Sequence, residues 1–521
     1  MNRTWLARGA VLTLFMLIGA AYFFWTSGSE LVSLGDDEQV YVLTAQSFAG
    51  SAPNPAVADQ AARDSQYPPL YPLLLAASSR GTNIQVAHWV TGGALFLAFG
   101  ALYFWLRLEN VSRPLVAAAV LVVAILPGTY SQALYLHSEN LFVLCSVTAL
   151  AGFAAARQTQ RTAWLVTAAV FVACASMTRT IGVVLFPALI LAAWRTKGSV
   201  AIRLLALLLG LAPQLIWSYL HRPEVGYLSS FAGRSQSLAL GEWLVRFRNE
   251  LAALYFGFLE NFIQTNTLIW GVNGLILLCV VATLWRLAQR REDAVYAFAY
   301  VTVIMLWPFP AEAQRLIWAI TPVLLGAVAL LTRAQLLAAP EPLRFRQGLA
   351  YIAIGVAAIC SLPTLALTMS RFLNPVAAEH PEYRGYPEWY KGNLERAQAN
   401  VESHKSLLQG LRQIADFVPA TECVLSIKPT LVSYFGRRRA VRPPLGQLGQ
   451  GEFEAELKES GCQYLYLLEG SSPSYPQKFY PAARLASRLV PIQSAPMYKP
   501  GAAGQEVVGA LVRFLPGAGH R

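Results

Sequence analysis

Long apolar blocks, spaced by short polar stretches through the first 370 residues, constrain this chain more than any other feature. They fall at roughly 9–25, 84–106, 114–130, 140–156, 162–177, 180–194, 201–220, 267–285, 294–309, 312–332 and 347–369. A hydrocarbon layer about 30 Å thick is crossed by about 20 apolar helical residues, so the blocks read as membrane spans. The expected fold class is a polytopic α-helical membrane protein with about 11 transmembrane helices. Composition agrees, with 55% of residues hydrophobic and 13% charged. The first block is rich in aromatics at its far end, from Tyr22 to Trp25, and no small-x-small cleavage site follows it. It is therefore read as a retained span and not as a signal peptide.

Charge sets the orientation. Arg3 and Arg8 precede the first block, and further basic residues, among them Arg107, Arg157, Arg195, Arg286 and Arg333, recur at alternate block ends. Only Glu109, Glu292, Asp293 and Glu341 oppose them there. The rule that cytoplasmic flanks are basic puts the amino terminus in the cytoplasm and, after eleven spans, the carboxyl terminus outside. The expected location is the bacterial cytoplasmic (inner) membrane, with its lipids as neighbours. The net charge of +12 is thereby explained without nucleic acid, since the basic residues form no stripe with interleaved aromatics. The outside connections are longer and acidic. One of them, 221–266, contains an amphipathic stretch from Leu240 to Phe258 suited to a membrane interface.

After about Arg371 the composition becomes that of a soluble domain. Cys423 to Ile427 reads as a strand, Pro429 to Phe435 and Phe453 to Ser460 as helices, and Cys462 to Leu468 as a second strand. The domain expectation is a transmembrane part over 1–370 and a small periplasmic α/β domain over 371–521. Cys423 and Cys462 begin the two strand-like runs in an oxidising compartment, where a disulfide forms if the strands are neighbours in register. Two unpaired thiols are the alternative.

Candidate chemistry gathers at the outer ends of the spans. Gly35-Asp36-Asp37-Glu38-Gln39-Val40-Tyr41 places three consecutive carboxylates just beyond the first block, a costly position unless water, a partner or a ligand stabilises them. Asp36 with Gln39 reads as a helix N-cap. Asp37, Tyr41, Thr44 and Phe48 then recur along one face of a short amphipathic helix, leaving Asp37 and Glu38 for chemistry. Glu139, beside His137, stands at another outer end, as do Arg179 and Arg315, where the charge rule does not place arginine. Arginines in apolar surroundings have anionic partners, and a planar guanidinium suits phosphate. Pairing with local carboxylates or lipid head groups is the other reading of both. Carboxylates and arginines on one surface suit displacement of a phosphate leaving group from a lipid-carried sugar. A carboxylate takes the acceptor's proton and the arginines stabilise the charge building on the departing phosphate. No P-loop, dinucleotide glycine motif or His-Glu-x-x-His metal signature is present. No cofactor follows from the sequence, although a divalent ion held by Asp37, Glu38 and Glu139 stays open.

An uncleaved first span, then Asp37-Glu38-Gln39-Val40-Tyr41, then Pro68-Pro69-Leu70-Tyr71-Pro72, resembles the GT-C membrane glycosyltransferases of the protein O-mannosyltransferase and lipid A aminoarabinose transferase branch. His137-Ser138-Glu139, Thr178-Arg179-x-x-Gly182 and the Arg315 to Pro322 spacing look like that group too. The resemblance implies an inverting transfer from a polyprenyl-phosphate-linked monosaccharide to a glycan, lipid or protein acceptor, with Asp37 matching the catalytic aspartate. The candidate catalytic residues are thus Asp37, Glu38 and Glu139, and the candidate substrate-binding residues Tyr41, Tyr67, His137, Arg179 and Arg315. One departure bears on the sugar: aminoarabinose transferases carry a lysine directly before the Pro-Pro pair, where this chain has Tyr67. Two other classes stay in view, a transporter or flippase of lipid-linked glycans and a membrane scaffold with a periplasmic binding domain. Transporters tend to show repeated halves and polar interruptions at mid-membrane depth, neither of which is visible here.

Overall fold

The structure, a computed structural model, describes residues 36–221, 240–262, 269–306, 313–337, 375–380, 393–446, 448–469, 477–485, 488–497 and 506–515, with a few isolated positions besides. Its contacts divide the chain into two compact units. One takes residues 1–27, 66–71 and 88–369; the other takes 28–65, 72–87 and 370–521. The change near residue 370 coincides with the composition shift. The earlier changes do not, because the acidic stretch and the residues around 72–87 fold with the carboxyl-terminal third.

The first unit is helical. Among the described residues five helices are long and apolar enough to cross a membrane: Ile84–Leu108, Glu139–Thr159, Val200–Leu220, Ile269–Ala288 and Arg315–Ala334. Arg113–Ile125 and Pro127–Leu134 add a sixth, bent by 59° at Leu126. Pro127 explains the break, because its ring excludes the preceding residue from helical geometry. The expected block at 180–194 is interrupted as well. A six-residue 3-10 turn, Thr180–Leu185, precedes the helix Phe186–Arg195. Thr162–Thr178 has 17 residues and Glu292–Met305 has 14, about 25 and 21 Å at 1.5 Å per residue, shorter than the layer they were expected to cross. The first and last expected blocks, 9–25 and 347–369, lie outside the described residues apart from isolated positions. The interfacial stretch forms the helix Leu240–Phe262, with Phe247 and Leu251 exposed and Leu254, Phe258 and Phe262 buried.

The second unit holds a five-stranded sheet of β1 (Cys423–Leu425), β2 (Arg439–Val441), β3 (Tyr464–Leu468), β4 (Leu489–Met497) and β5 (Glu506–Phe514), in the order β2-β1-β3-β5-β4. β1 is parallel to β2 and to β3, and the helices Pro429–Gly436 and Gln450–Ser460 occur in the intervening connections, as parallel neighbours require. β5 runs antiparallel to both β3 and β4. Cys423 and Cys462 form a disulfide across the β1 and β3 edges, with their Cα atoms 4.9 Å apart. The helix Leu394–Arg412 is capped by Asn393, whose side chain accepts from the Arg396 N–H at 2.9 Å. It buries Ala397, Val401, His404, Leu408 and Leu411, a helical stripe, and packs on β4 and β5.

The acidic stretch belongs to this second unit as the helix Asp36–Ala49, which packs on the helices Pro55–Asp64 and Pro429–Gly436. It is not amphipathic as expected. Every residue from Glu38 to Gln46 is buried, because partners cover it on more than one side. Asp36 is its first helical residue, and the Gln39 amide donates to the Ser33 carbonyl at 2.9 Å. Gly81 clasps the other end of this helix. It has a φ of +66°, and a Cβ there would meet the Gln46 nitrogen at 2.8 Å, so a side chain is excluded on both counts. The Gln46 amide donates to the Gly81 carbonyl at 2.8 Å.

Candidate functional site

In the first unit, three of the expected residues converge on one atom. Glu139 opens the helix Glu139–Thr159, where the positive end of the helix dipole favours a carboxylate. Arg179 stands at the junction between Thr162–Thr178 and the 3-10 turn, in extended geometry, with its N–H donating to the Ala175 carbonyl at 3.0 Å. The turn can fold back this tightly because residue 182 is glycine: a Cβ there would lie 2.5 Å from the Ala175 carbonyl carbon and the Ser176 nitrogen. The Gly182 N–H donates to the Arg179 carbonyl at 2.8 Å, which closes the turn. The Thr178-Arg179-x-x-Gly182 motif is thus a device for aiming the Arg179 side chain.

Arg179 Nη1 lies 2.6 Å from Glu139 Oε1, and Arg315 Nε lies 2.7 Å from the same oxygen. The Glu139 side chain is 1% exposed, that of Arg179 7% and that of Arg315 18%. A buried carboxylate needs cationic partners, and here it holds two guanidiniums, one from the junction after Thr162–Thr178 and one from the helix of Arg315. Arg179 also donates to the Ser138 hydroxyl at 3.2 Å. Sequence reading passed over Ser138 as a contact, although it stands inside the quoted His137-Ser138-Glu139 element. Tyr300, buried, ties its hydroxyl to the Leu316 carbonyl at 3.0 Å and so fixes Glu292–Met305 against the turn of helix that carries Arg315.

His137 stacks on Tyr135, with ring centroids 5.1 Å apart, and its Nδ1 lies 3.2 Å from Gln132 Oε1. The Asn140 amide donates to the Gln132 carbonyl at 2.8 Å, so Gln132 organises the segment leading into Glu139. Tyr67 is half-buried in a non-helical stretch, followed by buried Pro68 and Pro69. Prolines at 68, 69 and 72 oppose a regular helix across this element. A helix nevertheless begins at Leu70 and accepts Pro72 in its first turn, where a missing N–H costs nothing.

The other expected residues belong to the second unit. Asp37 is half-buried near the start of the helix Asp36–Ala49, whereas Glu38 and Tyr41 are both fully buried. The exposed surface of Asp37 distinguishes it from its neighbour and leaves it the more reachable of the two carboxylates. Among the described residues no three His, Cys, Asp or Glu side chains come together as metal ligands.

A second ionic cluster of the first unit was read in the sequence only as topology. Arg157, near the far end of the helix that Glu139 opens, is ion-paired with Glu109 and Glu292. Arg286 makes a two-pronged contact with Asp293, Nε to Oδ2 at 2.9 Å and Nη2 to Oδ1 at 2.5 Å, and stands 3.6 Å from Glu109. Arg195 lies 3.6 Å from Glu292. Burial opposes ionisation of Glu109, but Arg157 and Arg286 outweigh it and hold the carboxyl below its usual range.

No protein-family profile and no curated protein matches the sequence. Solved structures do. ArnT from Cupriavidus metallidurans in the apo state aligns over 97% of this chain and 98% of its own, at 13% identity and a TM-score of 0.52. The same protein bound to undecaprenyl phosphate aligns over the same shares, at 13% identity and 0.51. The Archaeoglobus fulgidus oligosaccharyltransferase tethered with an acceptor peptide aligns over 89% of this chain and 70% of its own, at 14% identity and 0.49. ArnT is a GT-C membrane protein, and a likeness that runs the length of both chains gives the architecture: this chain has the GT-C fold.

Proposed function

We propose that the chain is an inverting glycosyltransferase that moves a monosaccharide from a polyprenyl-phosphate-linked donor to a glycan, lipid or protein acceptor at the outer face of the bacterial cytoplasmic membrane. The observation that carries this reading is the GT-C fold shared over nearly the whole length of ArnT, a protein also seen with undecaprenyl phosphate bound. The paired Arg179 and Arg315 supply the chemistry such a donor needs, two guanidiniums held together by one carboxylate. In the proposed reaction Asp37 accepts the proton of the acceptor hydroxyl as its oxygen attacks the anomeric carbon. The bond from that carbon to the phosphate oxygen breaks, and the polyprenyl phosphate departs with the electron pair, stabilised by Arg179 and Arg315. A single displacement of this kind inverts the anomeric centre. Glu139 acts as a positioning residue, since both its partners would lose alignment without it. Tyr67 and His137 are assigned to orienting substrate, and Glu38 and Tyr41, both buried, to holding the helix that presents Asp37.

The disulfide between Cys423 and Cys462 supports an oxidising compartment for the carboxyl-terminal part. Alkaline phosphatase fused after Gly410 should therefore be active. An inactive fusion, with a cytoplasm-only reporter working at the same place, would overturn the orientation.

Asp37 carries the decisive test. Asparagine keeps the shape of aspartate and loses its basicity, so Asp37→Asn should lower transfer by about 10²–10⁴-fold. Asp36→Asn should be nearly silent, because asparagine serves a helix start as well as aspartate does. Glycan transfer by the two purified variants, matched in thermal stability, is the measurement. Equal activities would remove Asp37 from the mechanism and favour the transporter or scaffold classes.

A further inference from the structure

At the end of the helix Glu139–Thr159 opposite Glu139, a cavity of about 340 Å³ is bordered by Glu109, Arg286, Arg291 and Arg333, with Trp285 and Leu330 on its apolar side. Arg157 and Glu139 are 18 residues apart on that helix, so the ionic cluster at this end stands about 27 Å from the Arg179 and Arg315 pair. The cavity and the cluster share Glu109 and Arg286. Glu109 and Arg286 are already committed to each other, to Arg157 and to Asp293. Arg291 and Arg333 are not. Among the described residues neither has a carboxylate within ion-pair distance, and the Nε of Arg291 is buried without a hydrogen-bond partner. Burial, together with the nearby guanidiniums of Arg157 and Arg286, lowers the pKa of Arg291 from its usual value, and Glu109 and Glu292, which raise it, offset them only in part.

We propose that this cavity binds the phosphate headgroup of an anionic phospholipid, with Arg291 and Arg333 as its charge contacts. The walls favour a lipid over a soluble anion. Trp285, half-buried near the end of an apolar helix, suits the headgroup depth of a bilayer, and Leu330 offers an apolar surface beside the charges. Basic pockets between spans on the cytoplasmic side recur as headgroup sites for the same reason: the anionic leaflet supplies the compensating charge that the protein omits. The site is independent of the glycosyltransferase reading, because none of its residues takes part in that reaction.

Lipid binding to the full-length protein in detergent, followed by native mass spectrometry, tests the proposal with phosphatidylglycerol and phosphatidylcholine of identical acyl chains. Phosphatidylglycerol should bind at least about tenfold more tightly, and Arg291→Gln or Arg333→Gln should each weaken it about fivefold, the worth of one cation near such a surface. Arg161→Gln, an exposed arginine outside the cavity, should change nothing. Equal affinity for the two lipids overturns the proposal, as does unaltered phosphatidylglycerol binding in both folded variants. Displacement of phosphatidylglycerol by equimolar inorganic phosphate would assign the cavity to a free anion and overturn it as well. Should Arg291→Gln fold poorly, the lipid preference of the wild-type chain and of Arg333→Gln still decides.

Discussion

The two ends of the helix Glu139–Thr159 solve one problem in different ways. At the Arg157 end, Glu109, Glu292 and Asp293 meet Arg157, Arg195 and Arg286, three charges of each sign joined by contacts that run through every member. At the Glu139 end, two guanidiniums meet at a single carboxylate oxygen. The first arrangement completes itself and welds helix ends together. The second leaves two cations on one carboxylate, an excess of positive charge that the proposed function assigns to the donor phosphate. Position in the sequence does not separate the two, since both consist of arginines at the ends of apolar segments.

The largest effect that sharpens this contrast belongs to Glu292→Gln. It leaves Arg157 and Arg195 short of a buried partner, and removing one member of a buried pair costs about 3–5 kcal/mol. The thermal midpoint in detergent should fall steeply, and polyprenyl phosphate should not restore it. Restoration by that lipid would bring the donor phosphate to Arg157 and Arg195 themselves, apart from the cavity bordered by Arg291 and Arg333, and dissolve the distinction. Next in size are Arg179→Ala and Arg315→Ala, each of which should weaken use of the lipid-linked donor by ten- to a hundredfold, the worth of a charge-assisted contact at about 1.5–3 kcal/mol. Normal donor affinity and turnover in both would show that the Glu139 end is structural too. The smallest effect should come from Arg195→Gln. Its contact with Glu292 is 3.6 Å long and its side chain 29% exposed, so a rim pair of this kind contributes only about 0–1 kcal/mol. A loss as large as that of Glu292→Gln would mean that the network has no rim.

Much of the fold was legible because its signals are local. The helices Glu139–Thr159, Val200–Leu220 and Ile269–Ala288 follow directly from apolar runs, and β1 and β3 from short β-branched and aromatic runs that each begin with a cysteine. What escaped depends on distance or on local exceptions. Glu109, Glu292 and Asp293 read as acidic exceptions in basic flanks, yet they are the partners of those arginines, Glu292 meeting Arg157 from 135 residues away. The strand β4 was missed because Pro491 and Pro496 break its alternation, and the register shifts around both prolines accommodate them. At the site, the sequence supplied Glu139, Arg179 and Arg315 as candidates but not their convergence on one oxygen. That convergence depends on a turn made possible by Gly182. The burial of Glu38 was equally hidden, because it arises from segments that join the helix Asp36–Ala49 only after folding.

That last packing bears on how the chain can be dissected. The helix of Asp37 comes near the start of the sequence, yet its neighbour Pro429–Gly436 comes more than three hundred residues later, in the same unit. Synthesis therefore delivers the proposed base long before it delivers a surface that buries the helix beneath it. A chain shortened at residue 370 would keep every expected span and still lack that support. The carboxyl-terminal third is in this sense no appendage: its loss would expose the apolar side chains of an otherwise intact helix and unseat the aspartate it carries.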